Sequence, residues 1–214
     1  MENKLIQDSN SDYYNMVKVE FLPLIAERPN VILDMGCGAG QFGRRLREVN
    51  KVSELVGIEL YAPAAKEAET YYDKVYQDNA ESLNLPYSEY FDYVICGDIL
   101  EHLIDPWDMV SKISKMLKKD GALICSIPNI RYWKIIADLI LNGRWDYTDK
   151  GILDSTHLRF FTKSTFYEML YKANYNIAWQ LMVIHGKKKA ANFLTLGIFS
   201  EFLATQIMVL AKKK

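Results

Sequence analysis

The sequence feature that most constrains the fold is an apolar run that ends at a carboxylate and continues through several glycines, VILDMGCGAGQFG, over residues 31–43. A short apolar run is typical of a buried strand, and glycines allow a tight turn and a close approach of backbone to a ligand. A helical pattern begins at Gln41, so unpaired N–H groups at a helix N-terminus would lie beside the glycines. The stretch therefore predicts a strand, a turn and a helix that together bind a small molecule.

Strand-length apolar segments alternate with helical segments along the chain, which is typical of a parallel sheet covered by helices on both faces. The predicted strands are 31–34, 54–59, 74–76, 91–96, 121–127, 177–184 and 206–211. The predicted helices are 41–49, 62–72, 108–117, 130–141, a helix opened by Thr162 and Ser164, and a helix that ends near 203. The pattern predicts an α/β fold.

Composition indicates one globular domain over residues 1–214, because half of the residues are apolar and the chain is long enough for a full core. The 26 basic and 27 acidic residues give a formal charge of -1, which disfavours nucleic acid as the main ligand. Cys37, Cys96 and Cys125 stand in no metal-binding spacing and are expected to be reduced thiols. Because no apolar signal segment follows Met1, a cytoplasmic location is predicted.

One segment, 190–211, has roughly the length of a membrane-spanning helix. It contains Glu201 and several polar residues, which are costly in lipid, so no membrane span is predicted. The lysine runs 187–189 and 212–214 are interpreted as solvated charge, with a weak affinity for anionic membranes as the alternative.

The glycines leave two kinds of ligand open. Gly38, Gly40 and Gly43 satisfy the dinucleotide pattern GxGxxG, and Glu59 follows about 20 residues later, where a ribose-binding acid is expected. Asp34 favours a different ligand, because a carboxylate directly before the turn would repel a pyrophosphate but could hold an ammonium group. A turn that only joins strand to helix is the simplest alternative.

The run DMGCGAG, residues 34–40, resembles motif I of the class I S-adenosylmethionine-dependent methyltransferases. The resemblance implies a Rossmann-like, seven-stranded, mostly parallel sheet whose last strand is antiparallel, with S-adenosylmethionine as cofactor and S-adenosylhomocysteine as product. It further implies a set of cofactor-binding residues: Asp34, Gly36, Cys37, Gly38, Gly40, Glu59, Leu60, Asp78, Asn79, Ala80 and Gly97, with Tyr14 from an N-terminal cap over residues 1–28.

Within that set, the resemblance assigns Glu59 to the ribose hydroxyls and the loop after the third strand to the adenine amino group. Asp78 and Asn79 compete for the adenine contact. A solvated or helix-capping carboxylate is the alternative for Glu59, and a plain turn is the alternative for either loop residue.

The segment 91–106 resembles motif IV of the same family and contains Asp98, Glu101 and His102. Some relatives, including quinone-biosynthetic and RNA-end O-methyltransferases, use a Glu-x-x-Glu-His pattern here to hold a divalent metal. Residues three apart on a helical turn project to the same side, so a metal held by these three residues is possible. The favoured interpretation has no metal and treats His102 as a hydrogen-bonded supporting residue.

Residues 129–162 resemble a substrate-side insertion in bacterial methyltransferases often encoded beside glycosyltransferases. The predicted acceptor-binding residues are Trp145, Tyr147, Asp154 and Arg159, which suit a sugar, glycan precursor or other small polar acceptor. His157 is the first candidate for a general base, with His102 and Asp98 as further catalytic candidates. The alternatives are an Asp154–Arg159 ion pair that anchors the loop and a core position for Trp145.

Two other functions remain open at this stage. A nicotinamide-dependent oxidoreductase would use the same glycines and Glu59, but it would leave Asp34 without a role. A non-catalytic cofactor-binding partner of a glycan-assembly enzyme would keep the fold without turnover. The sequence leaves open the acceptor, the choice among oxygen, nitrogen and carbon methylation, and the oligomeric state.

Overall fold

A computed structural model describes residues 19–186 and 188–214, and its centre is one seven-stranded sheet. The strands are β1 Asn30–Met35, β2 Val52–Glu59, β3 Lys74–Gln77, β4 Phe91–Gly97, β5 Leu117–Pro128, β6 Tyr175–Val183 and β7 Gln206–Lys213. Their order is β3-β2-β1-β4-β5-β7-β6. Strands β1 to β5 pair in parallel, and β7 is antiparallel to both β5 and β6. The predicted Rossmann-like sheet with an antiparallel last strand is therefore confirmed.

Helices connect these strands on both faces of the sheet. The α-helices are α1 Gln41–Glu48, α2 Ala62–Ala68, α3 Pro106–Met116, α4 Trp133–Ala137, α5 Lys163–Lys172, α6 Lys188–Leu194 and α7 Ser200–Leu203. Short 3-10 helices span Val19–Leu24 and Leu100–His102, and a π-helical turn, Asp138–Asn142, continues α4.

The sheet is buried on both sides, which follows from its nearly continuous apolar strands. Leu33 and Met35 of β1 belong to one hydrophobic cluster, whereas Ile32 belongs to a second cluster on the other face. Because side chains alternate along a strand, Asp34 projects to the same face as Ile32. A carboxylate thus enters an otherwise apolar layer one residue before the strand ends.

Three predicted helices are wrong in extent. The helix predicted over 62–72 ends at Ala68. The helix predicted over 130–141 begins only at Trp133, because the Asn129 amide donates to the carbonyl oxygens of Glu201 and Ala204 and holds the chain at the strand exit. The helix predicted to end near 203 is split into α6 and α7. Leu196 and Gly197 have φ values of 51° and 78°, a left-handed conformation that ends a right-handed helix.

The predicted N-terminal cap lies mostly outside the described residues, and so does Tyr14. In the described part, the 3-10 helix at 19–24 buries Phe21 against the second hydrophobic cluster. No helix within residues 19–186 and 188–214 combines the length and apolar character needed to cross a membrane.

Candidate functional site

The carboxyl ends of the parallel strands lie at one edge of the sheet. The strand order reverses between β1 and β4. From β1 the chain adds β2 and β3 on one side, and then β4 and β5 on the other. Met35 pairs with both Ile58 and Cys96, so the ends of β1, β2 and β4 lie at one level. Ligands of open α/β sheets bind at such a switch point.

The glycine turn leaves β1 with three residues in the left-handed conformation. The φ values are 72° at Gly36, 54° at Gly38 and 83° at Gly40, all strained for residues with a Cβ atom. Gly40 is also required by packing, because a Cβ atom there would lie 2.8 Å from Ala68 Cα. The N–H groups of Gly36 and Cys37 donate to Ile58 O at 2.8 and 3.0 Å, which fixes the turn against β2.

Glu59 joins the end of β2 to the glycine turn. Its Oε2 accepts from Gly38 N at 2.9 Å and its Oε1 accepts from Tyr61 N at 2.8 Å. Burial raises the pKa of Glu59 although these backbone donors oppose the shift. The hydrogen bonds from Gly38 N and Tyr61 N leave part of the acceptor capacity of the carboxylate unused, so it could also accept from hydroxyl groups. The neighbouring Leu60 side chain is half exposed and offers an apolar surface beside them.

Asp34 is buried below the turn and contacts a residue that the sequence interpretation missed. Tyr72 Oη donates to Asp34 Oδ2 at 2.5 Å. Burial raises the pKa of Asp34 to about 7; the Tyr72 bond opposes the rise and the charge of Glu59 adds to it. The Tyr72 ring fits because Gly43 and Gly57 lack side chains, since a Cβ atom on either would lie within 3 Å of the ring.

Cys37 contributes its backbone to the turn, whereas its side chain belongs to the second hydrophobic cluster and lies against Gly57 of β2. A Cβ atom on Gly57 would lie 2.8 Å from Cys37 Sγ. Burial raises the pKa of the Cys37 thiol, so it remains neutral. Cys96 and Cys125 are also buried and unpaired.

The loop after β3 places Asp78 and Asn79 at the surface and Ala80 partly buried behind them. Asn79 Oδ1 accepts from Glu81 N at 2.9 Å, whereas Asp78 Oδ1 accepts from the adjacent Asn79 N at 2.7 Å. Glu81 in turn accepts from the N–H groups of Ile104 and Asp105, at 3.0 and 2.8 Å. The loop is therefore tied to the turn after β4.

Asp98 follows Gly97 at the end of β4 and has a φ of 55°. Its Oδ1 accepts from Ser126 Oγ at 2.6 Å and from Gln206 Nε2 at 2.5 Å. These bonds direct the carboxylate toward β5 and β7. The helical i, i+3 argument for Asp98 and Glu101 does not apply, because the 3-10 turn begins only at Leu100.

The structure instead brings Glu101 and His102 together with His157. The possible ligand atoms of these three residues lie within 4.8 Å of one another. The two imidazole rings meet edge to face, with centroids 4.7 Å apart. Glu101 and His157 are buried, and His102 is partly exposed. The sequence spacing suggested Asp98, Glu101 and His102 as possible metal ligands. In the structure His157, which is distant in sequence, replaces Asp98 in this set.

Both imidazole rings are oriented by carbonyl oxygens. His157 Nδ1 lies 3.0 Å from Ile152 O, and His102 Nδ1 lies 3.3 Å from Thr156 O. Because a carbonyl oxygen only accepts, each Nδ1 carries the hydrogen and each Nε2 keeps its lone pair. Burial, followed by the nearby His157, lowers the pKa of His102. One carboxylate and two such rings fit a divalent metal of the borderline class, and they equally fit proton transfer.

The insertion at 129–162 is fixed to this cluster through its backbone. The N–H groups of Leu158 and Arg159 donate to Glu101 O at 2.8 and 2.9 Å. Asp154 and Arg159 do not form the anchoring pair considered above, since Asp154 accepts from Thr156 and the Arg159 guanidinium donates to Ile104 O.

Trp145 and Tyr147 lie partly exposed on this insertion, so Trp145 is not a core residue. Both rings lie beside Phe160, with centroids 5.3 and 6.3 Å away, and Phe160 lies 6.4 Å from the His157 ring. The three aromatic side chains form a continuous surface that leads to His157.

Comparison with known proteins agrees with this architecture. A family model described as a methyltransferase domain matches residues 8–180. A ubiquinone biosynthesis O-methyltransferase of Actinobacillus pleuropneumoniae is 28% identical over 136 residues, which cover 59% of this chain and 56% of the relative. The chain thus spans between 42% and 58% of the length of the curated relatives it matches.

Solved structures show the same fold at low identity. An S-adenosylmethionine-dependent methyltransferase of Mesorhizobium loti superposes with a TM-score of 0.65 at 16% identity, covering 91% of this chain and 96% of that one. The cyclase SpnF superposes with a TM-score of 0.62 at 18% identity, covering 95% and 79%. These likenesses describe the fold, whereas the family model covers most of the sequence. The chain therefore belongs to the methyltransferase domain family and has the class I fold, whose cofactor is S-adenosylmethionine.

Proposed function

We propose that the protein transfers the methyl group of S-adenosylmethionine to a hydroxyl oxygen of a sugar, a glycan precursor or another small polar acceptor. The observation that carries this proposal is the oriented, buried His157 imidazole, which lies beside Glu101 and His102 at the end of an aromatic surface. Similarity to O-methyltransferases supports oxygen as the methylated atom.

Cofactor binding is proposed to use the turn at 36–40, whose glycines present backbone without side chains. Glu59 would accept hydrogen bonds from the two ribose hydroxyls. Asp78 is preferred over Asn79 for the adenine amino group, because Asn79 Oδ1 already accepts from Glu81 N. Asp34, when ionised, would attract the ammonium group of the methionine part, directly or through water.

Catalysis is proposed to rest on His157 Nε2. Bound S-adenosylmethionine supplies an electrophilic methyl group. The lone pair of His157 Nε2 would take the acceptor's hydroxyl proton as the oxygen bonds to the methyl carbon and the methyl–sulfur bond breaks, with S-adenosylhomocysteine as leaving group. Ile152 O would stabilise the resulting imidazolium through Nδ1. Alignment of the acceptor along the surface of Trp145, Tyr147 and Phe160 would contribute a large share of the rate.

A metal-assisted version of the same transfer is a second candidate, supported by the convergence of Glu101, His102 and His157. A divalent metal held there would lower the pKa of an acceptor hydroxyl. The two versions differ under chelation. Full activity in excess EDTA would exclude the metal-assisted transfer and favour His157 as a general base. A loss of activity that one added divalent metal restores would favour the metal-assisted transfer.

The protein is proposed to act in the cytoplasm, because its three cysteines are buried free thiols of the kind kept in reducing compartments. A nicotinamide-dependent activity is set aside because the chain belongs to the methyltransferase family. A role as a non-catalytic cofactor-binding partner in glycan assembly is the remaining alternative, and it is an outcome of the following test.

The test is a screen of nucleotide sugars and polysaccharide fragments with S-adenosylmethionine labelled in the methyl group. We expect label in at least one acceptor, a loss of roughly 100-fold or more in kcat for His157→Ala, and unchanged cofactor affinity. His185→Ala is the matched control, because His185 is exposed and lies outside the site. Cofactor binding without transfer to any acceptor would support the non-catalytic role, and an unchanged kcat in His157→Ala would dismiss the base.

A further inference from the structure

The connection between β6 and β7 exposes five large apolar side chains on one short segment, residues 193–199, here called the apolar tip. The exposed fractions are 80% for Phe193, 80% for Leu194, 89% for Leu196, 76% for Ile198 and 50% for Phe199. Scattered exposed apolar residues are ordinary, but such a run on one turn is a feature of surfaces that meet a partner or a membrane.

The backbone of the apolar tip forms its hydrogen bonds within the connection itself. Gly197 N donates to Asn192 O at 2.9 Å, and Leu196 N donates to Phe193 O at 3.0 Å. Ser200 Oγ also lies 2.9 Å from Asn192 Oδ1. Backbone polar groups that are paired locally can enter an apolar medium without losing partners. The tip can therefore leave water without breaking its own turn.

The base of the connection is fixed to the body of the protein. Asn129 Nδ2 donates to Glu201 O and Ala204 O at 2.7 and 2.9 Å. Arg131 forms an ion pair with Glu201 and also lies 4.4 Å from the centre of the Phe202 ring. The exposed side chains are therefore held outward by an anchored turn.

The charged residues around the apolar tip indicate the kind of partner that it fits. Residues 190–200 contain no charged side chain, and three consecutive lysines, 187–189, precede them. Lys189 and His185 are exposed, and the Lys188 ammonium lies 4.6 Å from the Tyr132 ring, at the start of the neighbouring connection. Because the whole chain has a net charge of -1, this is a local concentration of positive charge. Uncharged apolar side chains flanked by lysines complement an anionic bilayer: the lysines match the headgroups and the tip matches the acyl region.

A second exposed apolar stretch lies in the connection that follows β5. Leu139, Ile140 and Leu141, in the π-helical turn after α4, are 45%, 73% and 78% exposed. The two connections rise from adjacent strand ends, because Pro128 at the end of β5 pairs with Gln206 at the start of β7. Both belong to the sheet edge that carries the candidate site, since Gln206 also contacts Asp98.

We propose that the protein docks reversibly on anionic membranes through the apolar tip and the lysines that precede it. The proposal does not depend on methyl transfer. If both hold, the candidate site works at a membrane surface, where an acceptor carrying a lipid could be presented to it.

The test is sedimentation of the full chain with vesicles of phosphatidylcholine alone or with about 30% phosphatidylglycerol. We expect binding to the anionic vesicles that weakens as salt rises, and at least tenfold weaker partitioning for Phe193→Ser/Leu194→Ser. Lys188→Gln/Lys189→Gln should weaken binding several-fold. The matched controls are Val49→Ser/Leu181→Ser, which removes two exposed apolar residues elsewhere, and Lys115→Gln/Lys119→Gln, at the opposite edge of the sheet.

Three results would overturn the proposal. The first is absence of wild-type binding to anionic vesicles at low salt. The second is equal binding by the Phe193→Ser/Leu194→Ser variant and its control. The third is a concentration-dependent dimer that this variant abolishes while vesicle binding is unchanged, which would identify the tip as a protein interface. Circular dichroism of each variant checks that the fold is retained. Phe193, Leu194 and Lys189 are exposed, whereas Lys188 is partly buried and donates to Tyr132 Oη, so the check matters most for the lysine variant.

Discussion

Tyr72 donates its phenolic hydrogen to the buried carboxylate of Asp34 over 2.5 Å. The bond joins the residue that precedes the glycine turn to the end of the connection after α2. It exists because Gly43 and Gly57 leave room for the ring. Two glycines outside the turn thus make room for a hydrogen bond that lowers the pKa of the carboxylate beneath it, against the larger effect of burial.

Replacement Tyr72→Phe removes the donor that lowers the pKa of Asp34, so the pKa should rise above its present value of about 7. If ionised Asp34 attracts the cofactor's ammonium group, affinity for S-adenosylmethionine should fall about tenfold at pH 7 and recover toward pH 9. Calorimetric titration at several pH values measures this. Tyr171→Phe, at an exposed tyrosine on α5, should change nothing. An equal loss at every pH would assign Tyr72 a packing role only.

The substitution Asp34→Asn tests the raised pKa of the same carboxyl group through the free energy of unfolding. Burial raises the folded pKa of Asp34 from 3.8 to about 7, so the folded state binds this proton more tightly than the unfolded state. The stability that the protonated Asp34 carboxyl adds to the folded state is fully present below pH 3.8 and is lost as the pH rises through 7. The amide does not titrate, so the variant should gain relative stability over this range, with a limiting slope of about 1.4 kcal/mol per pH unit.

Urea unfolding at pH 5 and pH 8, without cofactor, measures this difference. Asp149→Asn, at an exposed aspartate, is the control and should show little dependence on pH. A difference between wild type and Asp34→Asn that is the same at both pH values would show that Asp34 titrates normally.

Gly43→Ala should destabilise the fold, because the added Cβ atom would lie 2.3 Å from the Tyr72 ring and 2.8 Å from Leu55. Overpacking of this kind costs about 1–3 kcal/mol, although alanine favours helices. Arg44→Ala, at the next and exposed position of α1, is the control. Thermal unfolding of both variants measures the difference, and equal melting temperatures would mean that the ring moves aside freely.

The sheet could be predicted from the sequence because its signals are local. Strand-length apolar runs, the glycine turn at 36–40 and Glu59 at a strand end each carry their own pattern. Helix ends were less predictable where tertiary contacts determine them. Asn129 bonds to residues more than 70 positions away, and α4 therefore begins later than its sequence pattern indicates. Local propensity contains no record of such contacts.

Parts of the candidate site could not be predicted from the sequence, because they also depend on tertiary contacts. The spacing of Asp98, Glu101 and His102 suggested one cluster, but Asp98 turns toward Ser126 and Gln206, and His157 joins the other two. Tyr72 lies on no recognisable motif. The glycines at 43 and 57 were the available signal, since a glycine inside a helix and one inside a strand each indicate a close neighbour.

Isothermal titration with S-adenosylmethionine shows whether Glu59 and the glycine turn bind the cofactor. We expect one site per chain in the wild type, at least tenfold weaker binding in Glu59→Gln because a ribose contact is lost, and unchanged binding in Glu54→Gln at the other end of β2. His157→Ala should bind as tightly as the wild type. Absence of binding heat would show that the glycine turn does not hold this cofactor, and equal affinity in Glu59→Gln and Glu54→Gln would show that Glu59 does not contact the ribose.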